Sequence, residues 1–160
     1  MSDDRRTTPL EPEAIEPQMC SVDLRLQILH GLPFFAGLSH EDVAAINPLF
    51  REMGFEAGAR IYFAGDNATR LYVVATGKVK LIRHTLDGQE RVLDLLMPGD
   101  FFGTLPVMGE TTYPDTAQAH TFCCVLSISA QDFQTILARY PAVSLSLLEI
   151  VSDRLRAARE

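Results

Sequence analysis

The sequence predicts a mainly β fold with flanking helices, in which short antiparallel strands form a sandwich or a small barrel. Short apolar runs alternate with turn residues across the middle of the chain, where Gly65, Gly77, Gly88 and Gly99 fall 11 to 12 residues apart. This rhythm is typical of short strands joined by tight turns. Asp87 and Gly88 lie between two such runs and predict a hairpin, because glycine accepts the positive φ of a primed turn.

The apolar period is helical on both sides of this β region. Residues 21–53 are predicted to form helices, with Ser39 as an N-cap. Ser129 is predicted to cap a short helix that ends at Tyr140-Pro141. A last helix is expected from about residue 142 to the C-terminus.

The first 20 residues differ in composition from the rest. They hold three of the nine prolines and five acids, with only Leu10 and Ile15 as large aliphatic residues. Such a segment buries too little apolar surface to offset the entropy cost of ordering, so we expect a flexible leader. It also lacks the apolar core of a secretory signal.

The charge balance and the cysteine count exclude several classes of protein. Fourteen Lys and Arg against 21 Asp and Glu give a net charge of -7, without a basic cluster that would grip nucleic acid. No apolar run approaches the length of about 18 residues that a membrane span needs. Cys20, Cys123 and Cys124 are an odd number, which predicts no disulfide framework and favours a reducing, cytoplasmic location.

Four segments of the β region carry a distinctive pattern of glycines and apolar residues. They are 58–66, 71–81, 87–90 and 98–103. Together, in this order, they closely resemble the cyclic-nucleotide-binding-like sensor domain of Crp/Fnr bacterial transcription regulators. The resemblance implies an antiparallel β-roll of the jelly-roll type, flanked by helices, whose long final helix pairs with its twin in a homodimer.

Composition and the resemblance together divide the chain into three parts. Residues 1–20 are the leader, residues 21–141 are the β-roll effector-sensing domain with its N-terminal helices, and residues 142–160 begin the dimerisation helix. The implied function is to sense a small-molecule effector and to dimerise, while DNA is read only through a helix-turn-helix domain absent from this chain. The alternative is a stand-alone module of the same type that regulates a partner protein. The complete gene would distinguish the two.

The same resemblance implies an effector pocket. In members that bind cyclic AMP, a Glu follows the last glycine of Pro-Gly-Asp-x-x-Gly and accepts a hydrogen bond from the ribose hydroxyl. An Arg before Ser or Thr pairs with the phosphate. This sequence has Thr104 at the Glu position and Asp115 at the Arg position, and it retains Thr116. The candidate pocket residues are Phe102, Gly103, Thr104, Leu105, Asp115, Thr116 and Ala117.

The Asp at position 115 argues against cyclic AMP as the effector. It removes a cation and places a carboxylate beside the phosphate, and each close charge pair is worth about 4 kcal/mol at about 4 Å near a protein surface. No Lys or Arg lies between Phe101 and Gln131. We therefore expect no intact cyclic-AMP site.

Two cofactors are alternatives to cyclic AMP as the group bound by the domain. A four-cysteine iron–sulfur cluster is not expected, because only Cys20 lies near the N-terminus and the barrel cysteine position of the oxygen-sensing branch falls on Leu126. A haem that senses nitric oxide or carbon monoxide stays open. Its possible axial ligands are His30, His40, His84 and His120.

Cys123 and Cys124 are adjacent on a predicted strand, so their side chains should point to opposite faces. The preferred interpretation makes one a buried core residue and leaves the other exposed. The alternative is a thiol redox sensor with Cys20 as the partner. No metal-ligand spacing and no motif of a phosphate loop, a serine hydrolase or a zinc protease is present, so we expect no metal site and no enzyme.

The last helix has two apolar faces and is therefore expected to have two partners. One face follows the 3,4,3 spacing of a coiled-coil seam and is assigned to the homodimer. Its residues are Leu148, Val151, Leu155 and Ala158. The other face is assigned to the β-roll and consists of Val143, Leu147 and Ile150.

Overall fold

The computed structural model describes residues 22–159, which form eight strands and four α-helices. The predicted leader, 1–20, lies outside these residues. The helices are α1 (Val22–His30), α2 (His40–Ile46), α3 (Ala130–Arg139) and α4 (Pro141–Arg159). The strands are β1 (Arg51–Phe55), β2 (Arg60–Tyr62), β3 (Arg70–Thr76), β4 (Val79–His84), β5 (Glu90–Leu96), β6 (Phe101–Gly103), β7 (Thr116–Ala119) and β8 (Cys123–Ser129).

The strands form two antiparallel four-stranded sheets, which confirms the predicted mainly β fold. One sheet has the order β1-β8-β3-β6 and the other has the order β2-β7-β4-β5. The neighbours are mostly distant in sequence, so the chain crosses between the sheets as a jelly roll does. Strand β5 lies at an edge, and its residues are exposed except for Leu96.

The turns and caps follow local chemistry. The predicted β4–β5 hairpin is confirmed, and Gly88 has a φ of 86° there. The expected primed turn is wrong, because Asp87 does not have a positive φ and the five residues 85–89 join the two strands. Ser39 accepts a hydrogen bond from the Asp42 backbone N–H in a capping box, and Ser129 caps α3. Both predicted caps are confirmed, and α4 begins at Pro141, one residue before the predicted start.

Two hydrophobic cores result. The interior core lies between the two sheets and draws residues from every strand. The helix-side core packs the outer face of β3 and β8 against the helices and includes Phe34, Phe35 and Phe133. No single helix among residues 22–159 has both the length and the apolarity to cross a membrane.

Candidate functional site

The pocket candidates come from both sheets and meet at Tyr62. Phe102 and Gly103 end β6 in the first sheet, whereas Asp115 precedes β7 in the second. Tyr62 lies beside Ala117 in the β2–β7 register. Its side chain hydrogen-bonds the Gly103 backbone and lies within electrostatic range of Asp115. The structure therefore brings the two groups of predicted residues together through a tyrosine that the sequence analysis did not single out.

Burial governs the chemistry of this tyrosine. Tyr62 is 3% exposed, and burial raises its pKa well above the usual range. The negative charge of Asp115 raises it further, as do Tyr113 and Tyr72, whereas the hydrogen bond with Gly103 lowers it. The phenol is therefore neutral at physiological pH and acts as a hydrogen-bonding group.

Tyr62 belongs to an aromatic cluster in the interior core, formed by Tyr62, Tyr72, Phe102 and Tyr113. The rings of Tyr62 and Tyr113 stack with centroids 3.8 Å apart, and those of Tyr72 and Phe102 stack at 5.2 Å. Tyr113 is fixed by its hydroxyl, which donates to the Arg70 carbonyl at 3.1 Å and accepts from the Arg70 N–H at 3.0 Å. The cluster ties the two sheets together beside the pocket candidates.

Gly103 is required by its backbone conformation and by its neighbours. Its φ is +87°, and a Cβ there would lie 2.9 Å from the Arg70 carbonyl oxygen. Because L residues rarely adopt this φ, a side chain at position 103 would strain the end of β6. The glycine of the predicted motif is thus explained by chain packing alone, without a ligand.

Asp115 is half-buried, and burial is the main reason that its pKa is raised above the ordinary value. Glu110 raises this pKa further, whereas Arg83 lowers it. Arg83 lies on β4, outside the interval 101–131 that contains no Lys or Arg. A positive charge therefore acts on Asp115 although no Lys or Arg lies between Phe101 and Gln131, because strand pairing brings β4 beside β7.

The two threonines of the pocket have different surroundings. Thr116 accepts a hydrogen bond from the Ala64 N–H at 2.9 Å. Thr104 is 2% exposed, and its Oγ1 has no hydrogen-bond partner among the described residues. A buried hydroxyl without a partner costs free energy, so position 104 could gain from a ligand that supplies one.

The remaining candidates divide between the two cores. Phe102 and Ala117 lie in the interior core, as a pocket there requires. Leu105 is fully buried in the helix-side core instead, so it packs under the helices and does not line the interior. The chain turns away from the roll directly after Gly103, which a pattern of apolar residues cannot reveal.

The cysteines lie on opposite faces of β8, as strand alternation predicts. Cys123 belongs to the interior core and Cys124 to the helix-side core, and both are fully buried. The expectation that one of them is exposed is wrong, because β8 is covered on both sides. Burial raises the pKa of the Cys123 thiol to about 12, which disfavours the reactive thiolate. Cys20, the suggested redox partner, lies outside the described residues.

The candidate haem ligands are distributed over several elements. The ring of His30 contacts the ring of His40, with centroids 4.6 Å apart, and its Nε2 lies 3.1 Å from the Leu38 carbonyl oxygen. His84 ends β4, and His120 follows β7. Within residues 22–159 no three His, Cys, Asp or Glu side chains are grouped so that they could hold a metal ion.

Helix α4 presents one apolar face to the body and another to solvent. Val143 and Leu147 are buried, as predicted, with Ile150 partly buried beside them. Val151 also packs against the helix-side core, so its assignment to the exposed seam needs correction. The large exposed residues of the helix are Leu145, Leu148 and Leu155, at 67%, 64% and 58%. Ala158 is exposed, as the seam requires.

Comparison with known proteins gives a consistent result. A family model described as a cyclic nucleotide-binding domain matches residues 52–140. The chain is 35% identical over 130 residues to a "Cyclic AMP receptor protein" of Thermus thermophilus, covering 81% of this chain and 60% of that protein. The chain thus spans about 60% of the length of the curated relatives it matches.

Two solved structures share the fold. The N-terminal domain of a transcriptional regulator from Streptomyces coelicolor superposes with a TM-score of 0.71 at 33% identity, covering 82% of this chain and 92% of that one. The sensor domain of the transcriptional regulator DNR from Pseudomonas aeruginosa gives 0.74 at 25% identity, covering 85% and 91%. The proteins named here are transcriptional regulators and a receptor protein, none of them an enzyme, in agreement with the prediction that the chain is not an enzyme.

The raised pKa of Asp115 predicts a pH-dependent effect on stability. The folded chain binds this proton more tightly than the unfolded chain, so ionisation of Asp115 costs stability at neutral pH and costs nothing in acid, where both states are protonated. Asp115→Asn should therefore raise both the melting temperature and the free energy of unfolding at about pH 7. The gain in free energy should be less than about 1 kcal/mol, because solvent screens the half-exposed carboxyl. The gain should vanish towards about pH 3.

Thermal unfolding followed by circular dichroism over this pH range measures the effect. Glu56→Gln is the matched control, since Glu56 is an exposed acid in the turn after β1. A gain in stability that is equal for the two variants, or independent of pH, would contradict the assignment to a buried charge at position 115.

Proposed function

Because the chain belongs to the cyclic nucleotide-binding domain family and has Crp/Fnr transcription regulators among its relatives, we propose that it is the effector-sensing and dimerisation domain of such a regulator. Its pocket takes a small molecule other than cyclic AMP. The observation that carries this proposal is the half-buried carboxylate of Asp115, which precedes β7 and lies within electrostatic range of Tyr62.

The electrostatics of the pocket disfavour a cyclic phosphate. A phosphate placed between Gly103 and the start of β7 would meet the Asp115 carboxylate, with Glu110 close by. Arg83 offsets part of the negative charge of the two acids, but it does so as the counterion of Asp115 and is therefore less available to a phosphate. The backbone of Gly103 is already engaged by Tyr62. A cyclic nucleotide would therefore lose both its cationic anchor and a free backbone group.

Strand β6 supports a route from the pocket to α4. Phe102 points into the interior core and stacks on Tyr72, whereas Phe101 packs on the helix side. The ring centroids of Phe101 and Phe34 lie 4.6 Å apart. The guanidinium of Arg154 on α4 lies 5.4 Å from the centroid of the Phe101 ring. A ligand that shifts β6 would thus disturb a cation–π contact on the last helix.

The whole regulator would read DNA through a domain outside this chain, because a net charge of -7 disfavours the many phosphate contacts that duplex binding needs. A cytoplasmic location is part of the same proposal. A gaseous effector such as nitric oxide would require a bound cofactor, which an absorbance spectrum of the purified protein would reveal. A stand-alone module that regulates a partner protein is the second candidate, and the complete gene distinguishes them.

Cyclic AMP should show no saturable binding to this chain below about 1 mM, which corresponds to a binding free energy weaker than about -4 kcal/mol. The reason is the carboxylate at position 115 in place of a cation. Calorimetric titration measures this directly, and a cyclic-AMP-binding relative serves as the positive control. Micromolar affinity would refute the proposed change of effector.

The exposed face of α4 should support a concentration-dependent dimer. Leu148 and Leu155 each leave about 1.5–3 kcal/mol of burial unrealised in the monomer, and a two-fold contact buries both copies. Leu148→Asp/Leu155→Asp should therefore sediment as a monomer at concentrations where the wild type is partly dimeric. Leu86→Asp is the control, because Leu86 is fully exposed at the hairpin tip. Identical sedimentation of wild type and the double variant would place the interface elsewhere.

A further inference from the structure

Two arginines lie directly opposite each other on the β4–β5 hairpin. Arg83 pairs with Arg91 in the antiparallel register, so their side chains lie on the same face with Cβ atoms about 4.5–5.5 Å apart. Both are exposed. Like charges directly opposite on a ladder are unfavourable, so this arrangement calls for a compensating anion.

This face is the one that lines the interior of the roll. Val79 lies in the interior core and Leu81 packs against it, and Arg83 follows at the next position of the same alternation. Arg83 is also close enough to Asp115 to stabilise its carboxylate. The arginine pair therefore lies where the interior opens to solvent, beside the pocket candidates.

The pair lacks partners, whereas its neighbours have them. Among the described residues, neither guanidinium forms a hydrogen bond or a close ion pair. On the same two strands, Lys80 pairs with Glu90 at 3.6 Å. Asp115 lies within electrostatic range of Arg83 but forms no ion pair within 4.0 Å with it among the described residues, so the two facing arginines remain a concentration of positive charge in a chain of net charge -7.

We propose that Arg83 and Arg91 form the anion-binding part of the effector pocket, and that the effector is a small acid whose carboxylate or phosphate oxyanion bridges the two guanidiniums. This inference rests on the proposed function, since it names the chemical class of the effector. Planar guanidiniums bind such oxyanions through paired hydrogen bonds, and two of them can share one anion.

Asp115 determines the orientation of the ligand in the proposed site. Its carboxylate repels the acid group of the ligand and keeps it at the arginine end, while accepting a hydrogen bond from any donor elsewhere on the ligand. The site thus differs from one in which a cation at position 115 holds a phosphate. Removing the charge of Asp115 should make the arginine pair a stronger and less selective anion site.

The test is a calorimetric titration of the chain at constant ionic strength with sodium pyrophosphate and, separately, with sodium succinate. We expect saturable binding of at least one probe, weakened at least about tenfold in Arg83→Gln and in Arg91→Gln, since each removes one charge-assisted pair. Asp115→Asn should tighten binding. Arg51→Gln, which removes an exposed arginine at the start of β1, is the matched control and should bind like the wild type.

The outcomes separate the sources of the anion and the two proposals. Binding of succinate alone indicates a carboxylic acid, and binding of pyrophosphate alone indicates a phosphate ester. No saturable heat with either probe, or an equal loss in Arg51→Gln, overturns the arginine site but leaves the proposed function standing if cyclic AMP also fails to bind. Micromolar binding of cyclic AMP that survives Arg83→Gln and Arg91→Gln overturns both.

Discussion

The aromatic cluster is the constraint on which the pocket end of the roll depends. Tyr62 of one sheet stacks on Tyr113, and Tyr72 of the other sheet stacks on Phe102, with Tyr62 and Phe102 joining the two pairs. Face-to-face and offset contacts of this kind add to the burial of the rings themselves. They also hold Tyr62 where its hydroxyl hydrogen-bonds the backbone of Gly103 within electrostatic range of Asp115, so polar groups of both sheets influence one another.

The environment of these polar groups is defined by charge. A carboxylate that is half-buried, close to a second acid and only partly offset by Arg83 makes the start of β7 unfavourable for an anion. In the proposed arginine site, Arg83 and Arg91 make a neighbouring position favourable for an anion. We therefore propose that the fold of a cyclic-nucleotide-binding domain is kept here with a different distribution of charge in its pocket, since fold alone does not determine the ligand.

Much of the fold was predictable because its signals are local. The Asp87-Gly88 hairpin and the caps at Ser39 and Ser129 depend on residues a few positions apart, and the structure confirms all three. The site was less predictable. Arg83 approaches Asp115 only through the pairing of β4 with β7, and no local pattern encodes that register.

The other misses have the same origin. In the sequence, Tyr62 is indistinguishable from any other residue of a predicted strand. Only the β2–β7 register shows that it lies beside Ala117. Leu145 was overlooked and Val151 was assigned to the seam, because helical spacing defines apolar faces but not how far the body covers each one. The pattern gave no sign that β8 would be buried on both faces, which is why both cysteines are inaccessible.

The most direct test of the account is to replace the residues at positions 104 and 115 with those of the cyclic-AMP-binding pattern and to measure binding again. Thr104→Glu/Asp115→Arg restores the acceptor and the cation that the family pattern places there, without altering the strands. Calorimetric titration with cyclic AMP should then show saturable binding that the wild type lacks. If the double variant keeps the wild-type circular dichroism spectrum and still binds no cyclic AMP, the charge at position 115 is not what excludes the nucleotide.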